Sequence, residues 1–140
     1  MIRKMNNKDL TEVINIWLSV NIDAHDFIDS NYWIDNKDIV ETSLVQAEVY
    51  VYTSNNKILG FIGLDGNYIA GIFVSTSTQS KGIGTKLLNY AKLKKESLNL
   101  SVYEKNNRAI HFYTREGFKI IKENLDTETN EKELFMSWEK

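Results

Sequence analysis

Apolar and polar positions along the chain follow two periods, and the points where one gives way to the other mark its elements. Leu10, Val13, Ile14, Trp17 and Leu18 repeat as i, i+3, i+4, i+7, i+8, which predicts an amphipathic helix. Asp9 and Glu12 fall in its first turn, where the helix dipole favours negative charge. Val49 and Val51 alternate with Tyr50 and Tyr52 across Glu48 to Thr53, the period of a strand. Ser54-Asn55-Asn56-Lys57 turns that strand back into Ile58 to Leu64, and Asp65-Gly66-Asn67 turns again into Tyr68. Three strands joined by tight turns predict an antiparallel meander.

The rest of the chain reads in the same way. Ile2 to Met5 is a short strand, with Asn6-Asn7 capping the first helix. Asn21 to Asp35 has no clean period and reads as a connection dense in His25, Asp26, Phe27, Tyr32 and Trp33. A second helix is expected from Asn36 to Ala47, with Ile39, Val40, Ser43 and Leu44 on one face. Leu98, Leu100 and Val102 alternate as a strand, and Ala109, Ile110, Phe112 and Tyr113 mark a short helix closed by Gly117. Phe118 to Leu125 and Leu134 to Trp138 form the last two strands around a charged loop. The order β-α-α-β-β-β-α-β-α-β-β predicts a mixed α/β sheet with helices on both faces, in one domain over residues 1–140.

The candidate chemistry centres on Tyr68 to Lys94. Here the apolar run Ile69 to Val74, broken only by Gly71, leads through a polar bend, Ser75 to Ser80, into Gly82-Ile83-Gly84. Ile83, Leu87, Leu88 and Ala91 then recur at helical spacing, so the glycines sit at a helix N-terminus. Backbone N–H groups there lack partners, and glycine lets a ligand approach them without a Cβ in the way. Lys81 and Lys86 add positive charge, and the stretch suits a phosphate or pyrophosphate. It is not a P-loop, because Gly84 is followed by Thr85-Lys86 rather than by lysine directly. It is not a dinucleotide fingerprint either, because Leu87 stands where the third glycine is needed.

Composition narrows the classes. A net charge of −2 gives no electrostatic footprint for nucleic acid. No apolar run reaches 18 residues and the start is not that of a signal peptide, so no membrane partner and a cytoplasmic location are expected. With no cysteine, disulfides, thiolate metal sites and a cysteine-acyl intermediate are all absent, and no metal site is expected.

Two motifs in register carry a resemblance. Gln79-Ser80-Lys81-Gly82-Ile83-Gly84, preceded by Ile72-Phe73-Val74, resembles the acetyl-CoA loop of the GNAT N-acetyltransferase superfamily. One helix and one strand later, Asn106-Asn107-Arg108-Ala109-Ile110-His111-Phe112-Tyr113, continuing to Gly117-Phe118, is similar to that family's second motif. The resemblance covers essentially the whole chain. It implies a mostly antiparallel central sheet splayed at the middle, with the central strand leaving its neighbour after Val74. It also implies acetyl-CoA as cosubstrate, its pyrophosphate wrapped by Gln79, Ser80, Lys81, Gly82, Ile83, Gly84 and Thr85. A backbone N–H of Phe73 or Val74 would meet the thioester carbonyl, Tyr113 would serve the coenzyme A sulfur, and Asn106 would contact the pantetheine or cap its helix.

The acceptor side is less determined. A neutral amine must attack, and a lysine-type amine is mostly protonated near neutrality, so a base is expected. Where many family members carry a glutamate this chain has Asn67-Tyr68, which leaves His25 and Asp26 as candidates. His111 lies two positions from Tyr113, about 200° around the helix, and is expected to face elsewhere. Asp26, Phe27 and Trp33 are expected to line the acceptor pocket. The resulting expectation is acetyl transfer to a small-molecule or peptide amine by direct attack in a ternary complex. A non-catalytic acyl-CoA sensor, or transfer of another acyl group, are the alternatives, and homodimerisation stays open.

Overall fold

The period-two segments pair into one seven-stranded sheet in the computed structural model, which describes residues 1–79 and 81–140. The strands are β1 (Ile2–Lys4), β2 (Glu48–Ser54), β3 (Lys57–Asp65), β4 (Tyr68–Val74), β5 (Ser97–Tyr103), β6 (Lys119–Asp126) and β7 (Glu131–Glu139). They lie in the order β1-β2-β3-β4-β5-β7-β6. The helices are α1 (Leu10–Ala24), α2 (Ser30–Gln46), α3 (Ile83–Lys94) and α4 (Asn107–Arg115). Every neighbouring pair of strands is antiparallel except β4 and β5. Asn55 and Asn56 adopt the left-handed backbone that a tight β2–β3 turn requires, which asparagine tolerates better than most residues.

Alternation sorts the sheet into two cores. Ile62, Leu64, Ile69, Leu98, Leu100 and Met136 bury one face under Leu87, Leu88 and Ala91 of α3 and Tyr113 of α4. Val49, Val51 and Phe61 bury the other under Val13, Ile14 and Trp17 of α1 and Trp33 and Leu44 of α2.

The feature that positions the site is the parallel pair. β4 and β5 are joined only at Tyr68↔Asn99 and Ile69↔Leu100. The splay expected after Val74 therefore opens earlier, just past Ile69. The cause is local: Gly63 pairs with Gly71 but Leu64 with Ile69, so Ala70 is an extra residue in β4. Such a bulge bends its strand and raises the local twist, carrying the end of β4 away from β5.

The first two helices depart from the sequence expectation. α1 runs on to Ala24 and α2 begins at Ser30, so the expected long connection shrinks to His25–Asp29. Asp29 caps α2 by accepting from the Asn31 backbone N–H at 2.9 Å. Tyr32 and Trp33 thus belong to a helix rather than a loop.

Near the chain start, Asp9 is buried and accepts from both guanidinium nitrogens of Arg3, at 2.7 and 3.0 Å, and from the Asn6 backbone at 2.8 Å. The Arg3 bond holds the Asp9 carboxyl below its usual value, against the opposing effect of burial. A depressed carboxylate stabilises the fold above the unfolded pKa, and that contribution is lost as pH falls through the folded one. Asp9→Asn is expected to cost about 1 kcal/mol near neutrality, a figure reduced by the exposure of Arg3. The gap should close in acid. Urea unfolding of both proteins at neutral and acidic pH checks this, and an equal gap at both would assign the cost to something other than the carboxylate charge.

Candidate active site

The seam between β4 and β5 widens into a cleft of about 720 Å³. Ile72 and Val74 form its floor, the start of α3 one wall and α4 the other. Asp23 and Ala24, at the end of α1, close one margin.

The loop after β4 is held by side chains rather than by regular structure. Gln79 donates from Nε2 to the Val74 carbonyl at 3.0 Å, and its Oε1 accepts from Arg108 of α4 at 2.8 Å. One amide thus ties the end of β4, the loop and α4 together. Gly82 stands before α3 with φ of +81°, a left-handed backbone that favours glycine, and a Cβ there would meet nothing within 4 Å. Its backbone therefore faces open space, with the unpaired N–H groups of the first turn behind it. A Cβ on Gly84 would touch Phe112 at 3.5 Å and Val74 at 3.9 Å, so Gly84 lets α3, α4 and β4 converge. Ile83 is buried in the core, while Thr85 donates to Glu116 at 3.3 Å. Lys81 is exposed. Ser80 lies outside the described residues. Lys86 does not add its charge to this end, because its ammonium sits over the Tyr52 ring at 5.6 Å.

Hydrogen-bond alternation decides between Phe73 and Val74. Ser75 donates its backbone N–H to Leu59 of β3 at 2.8 Å, so every second residue back along β4 points the same way. The Phe73 amide is thereby committed to β3, opposite Phe61, and its ring stacks on Phe61 on the α1–α2 side. The amides of Ile72 and Val74 face the open seam.

On α4, Asn106 accepts from the Ala109 backbone N–H at 3.2 Å and so caps the helix. Its Nδ2 lies 3.2 Å from Nε2 of His25. Tyr113 is buried, packed edge-on against Phe112 and Phe118, and lines the cleft. Its hydroxyl has no hydrogen bond among the described residues. Burial first, and then the nearby Tyr68, push its pKa well above that of an ordinary tyrosine, so it stays protonated. A protonated hydroxyl on a residue that lines a cleft keeps its O–H as a hydrogen-bond donor.

Sequence reasoning missed the polar side of α4. Arg108, His111 and Arg115 all line the cleft. His111 therefore shares the cleft with Tyr113 instead of facing elsewhere, because a cleft this broad takes in more than one stripe of a nine-residue helix. Their spacing, three and four residues apart on a short helix after the loop, was the signal available.

The proposed acceptor residues fare differently. Asp26 is exposed and lies outside the cleft lining. Trp33 is only 7% exposed, stacked on His25 at 5.3 Å and edge-on to Trp17 at 5.9 Å, so it is core rather than pocket wall. Phe27 is half-buried and packs edge-on against His25 and Tyr103. His25 has its ring in this aromatic group, outside the cleft lining, and burial lowers its pKa. Among the described residues no group of histidine, aspartate and glutamate is placed to hold a metal ion, and no helix is long and apolar enough to cross a membrane.

Comparison with known proteins places this geometry. Residues 46–120 match the family model described as an acetyltransferase (GNAT) domain. The chain is 34% identical over 140 residues to the peptidyl-lysine N-acetyltransferase YiaC of Escherichia coli strain K12, covering 99% of this chain and 96% of that one. It is 29% identical over 121 residues to the peptidyl-lysine N-acetyltransferase YjaB of the same strain, covering 85% and 82%. The solution structure of apo YjaB from Escherichia coli superposes with a TM-score of 0.87, at 25% identity over 99% of this chain and 96% of that one. The Thermoplasma acidophilum paia N-acetyltransferase, solved with coenzyme A, shares the fold with a TM-score of 0.78, at 18% identity over 100% and 98%. This chain belongs to the GNAT acetyltransferase family, enzymes whose acyl donor is acetyl-CoA.

Proposed function

We propose that the enzyme acetylates the ε-amine of lysine in a peptide or protein, by direct attack of the amine on the donor in a ternary complex. The observation that carries this reading is the open β4–β5 seam with the buried, protonated Tyr113 hydroxyl on its wall. The acceptor class rests on the two relatives named peptidyl-lysine N-acetyltransferases, one of them matched over nearly both whole chains.

The residues fit acetyl-CoA. The open backbone at Gly82, the first turn of α3 and the cationic Arg108 and Arg115 suit its pyrophosphate and phosphate. The unpaired β4 edge suits its pantetheine, an extended chain carrying two amides. When bound, acetyl-CoA supplies an acetyl group activated as a thioester. The Val74 or Ile72 N–H donates to the carbonyl oxygen where negative charge develops. The lysine ammonium gives up one proton to solvent before it attacks. As the C–S bond breaks, Tyr113 gives its proton to the departing sulfur, and the second proton shed by the nitrogen on amide formation restores the Tyr113 hydroxyl. Asp23 is the one carboxylate in the cleft lining, among the described residues, and it draws the cationic lysine towards the seam.

The test is release of free coenzyme A from acetyl-CoA with lysine-containing peptides, their Nα-blocked and Lys→Arg counterparts, free amino acids and polyamines. Turnover confined to peptides with a free lysine ε-amine supports the reading. Preference for a small amine would replace the acceptor class, and tight acetyl-CoA binding without turnover on any amine would make the protein a sensor.

A further inference from the structure

The contact between His25 and Asn106 joins two elements far apart in sequence, the C-terminus of α1 and the N-cap of α4. Its chemistry is fixed by the rest of the network. Asn106 uses Oδ1 to accept from the Ala109 N–H, which leaves the donor-only Nδ2 facing His25 Nε2 at 3.2 Å. Nε2 must therefore accept, and a neutral ring carries its proton on Nδ1. That nitrogen is buried and has no geometrically sound partner. Only the Asn21 carbonyl favours a proton on the ring, and desolvation outweighs it.

The ring has no freedom to change role. Trp33 of α2 stacks on it, and Phe27 and Tyr103 of β5 meet it edge-on at 5.7 and 5.2 Å. Charged groups stand around this cage. Asp23 and Asp26 flank His25 and are exposed, and Lys105 lies over Phe27 at 5.5 Å. Asp126 accepts from the Tyr103 hydroxyl at 2.7 Å, and Glu128 from that of Tyr32 at 2.9 Å.

We infer that His25, as a neutral imidazole protonated at Nδ1, is a positioning residue whose Nε2 lone pair holds the Asn106 amide and so fixes the α4 wall of the acetyl-CoA cleft to the end of α1. It acts through Asn106 and is not the base that deprotonates the acceptor. Protonation gives both ring nitrogens an N–H, and Nε2–H then confronts the Asn106 donor. The clamp opens as pH falls, and the α4 wall loosens. This inference rests on the reading of α4 as a wall of the acetyl-CoA site, but its first test does not need turnover.

Nitrogen-15 NMR of the imidazoles decides the tautomer, with only His25 and His111 to assign. Nδ1–H with an unprotonated Nε2, titrating below ordinary histidine, is expected. Nε2–H, or titration at or above the ordinary value, overturns the inference. Asn106→Asp keeps a capping oxygen and places an acceptor opposite Nε2, so His25 in that variant is expected to gain an Nε2 proton and titrate higher than in the wild type. An unmoved titration overturns the contact.

Kinetics then test the consequence. His25→Ala is expected to raise KM for acetyl-CoA roughly fivefold, the usual scale of one hydrogen bond, with kcat little changed. His25→Gln, whose side-chain oxygen can stand in for Nε2, is expected to restore KM and remove its rise in acid. A fall in kcat with KM unchanged in both variants would make His25 a base and overturn the positioning role. If no variant or wild type turns over, the proposed function fails while the tautomer result still stands or falls alone. Should His25→Ala fail to fold, the glutamine variant and the spectra decide.

Discussion

Tyr113→Phe is expected to lower kcat about 10²- to 10⁴-fold while leaving the affinity for acetyl-CoA almost unchanged. The substitution removes one oxygen and nothing else. The ring keeps its edge-on contacts with Phe112 and Phe118, at 5.1 and 5.5 Å, so the core on that face stays filled. The hydroxyl makes no hydrogen bond among the described residues, so no partner is stranded by its loss. What disappears is a proton donor that burial keeps protonated across the working pH range. A donor that acts on the leaving sulfur matters in the transition state and little in the ground state, which is why kcat and not binding should respond. Steady-state kinetics with a lysine peptide, alongside calorimetry with acetyl-CoA, separate the two. Unchanged kcat would return Tyr113 to packing alone.

The second large effect is expected at Gly84. Its hypothetical Cβ meets Phe112 and Val74 at ordinary contact distances, so Gly84→Ala should be tolerated. Valine adds two further carbons where α3, α4 and β4 already converge. Overpacking of this kind typically costs about 1–3 kcal/mol, and where the methyls turn into the cleft and that cost falls on binding it is roughly 5- to 150-fold in the Kd for acetyl-CoA. Calorimetry on Gly84→Ala and Gly84→Val gives the contrast. Equal affinity in both, with both folded, would mean that the ligand does not pass this point.

The strands were legible because their signal is strict: one slip would have moved Val49 and Val51 out of the α1–α2 core and onto the α3 face, where Tyr50 belongs. The α3 start was legible because two glycines and a clean apolar stripe coincide there. The start of α2 was not. Its later part was expected from Asn36, but Ile34, Ile39 and Val45 are exposed, so the expected face on Ile39 is not a core stripe. The true start depends on the single cap at Asp29. Reading Trp33 as a loop aromatic then made it look like a pocket residue, when it is a core residue behind His25. The early opening of the seam was hidden for another reason. It comes from Ala70 falling out of register, and a bulge leaves no periodic trace in so short a strand.

Within the candidate site, the place of the glycines at the start of α3 could be read because backbone conformation is written in residue type. The preference for Val74 over Phe73 could not, since it depends on which way each amide points. Nor could the bond from Asn106 to His25, a contact across 81 positions of sequence.

The short β4–β5 pairing also bears on the solubility of the enzyme. Beyond Ile69 the two strands present bare backbone edges of the sort that recruits foreign strands. At the outer rim, β6 meets that hazard with Lys119, Lys122 and Glu123, all exposed. The inner edge, Ile72-Phe73-Val74, has no charge to repel an intruder. Its defence is enclosure: the start of α3 and α4 stand on either side, and the Gln79 amide already occupies the Val74 carbonyl. An edge guarded by walls rather than by charge stays available to a slender extended ligand while refusing the full width of another protein's strand. The gap proposed for the cosubstrate is thus expected to resist edge-to-edge pairing without any charge on its strand.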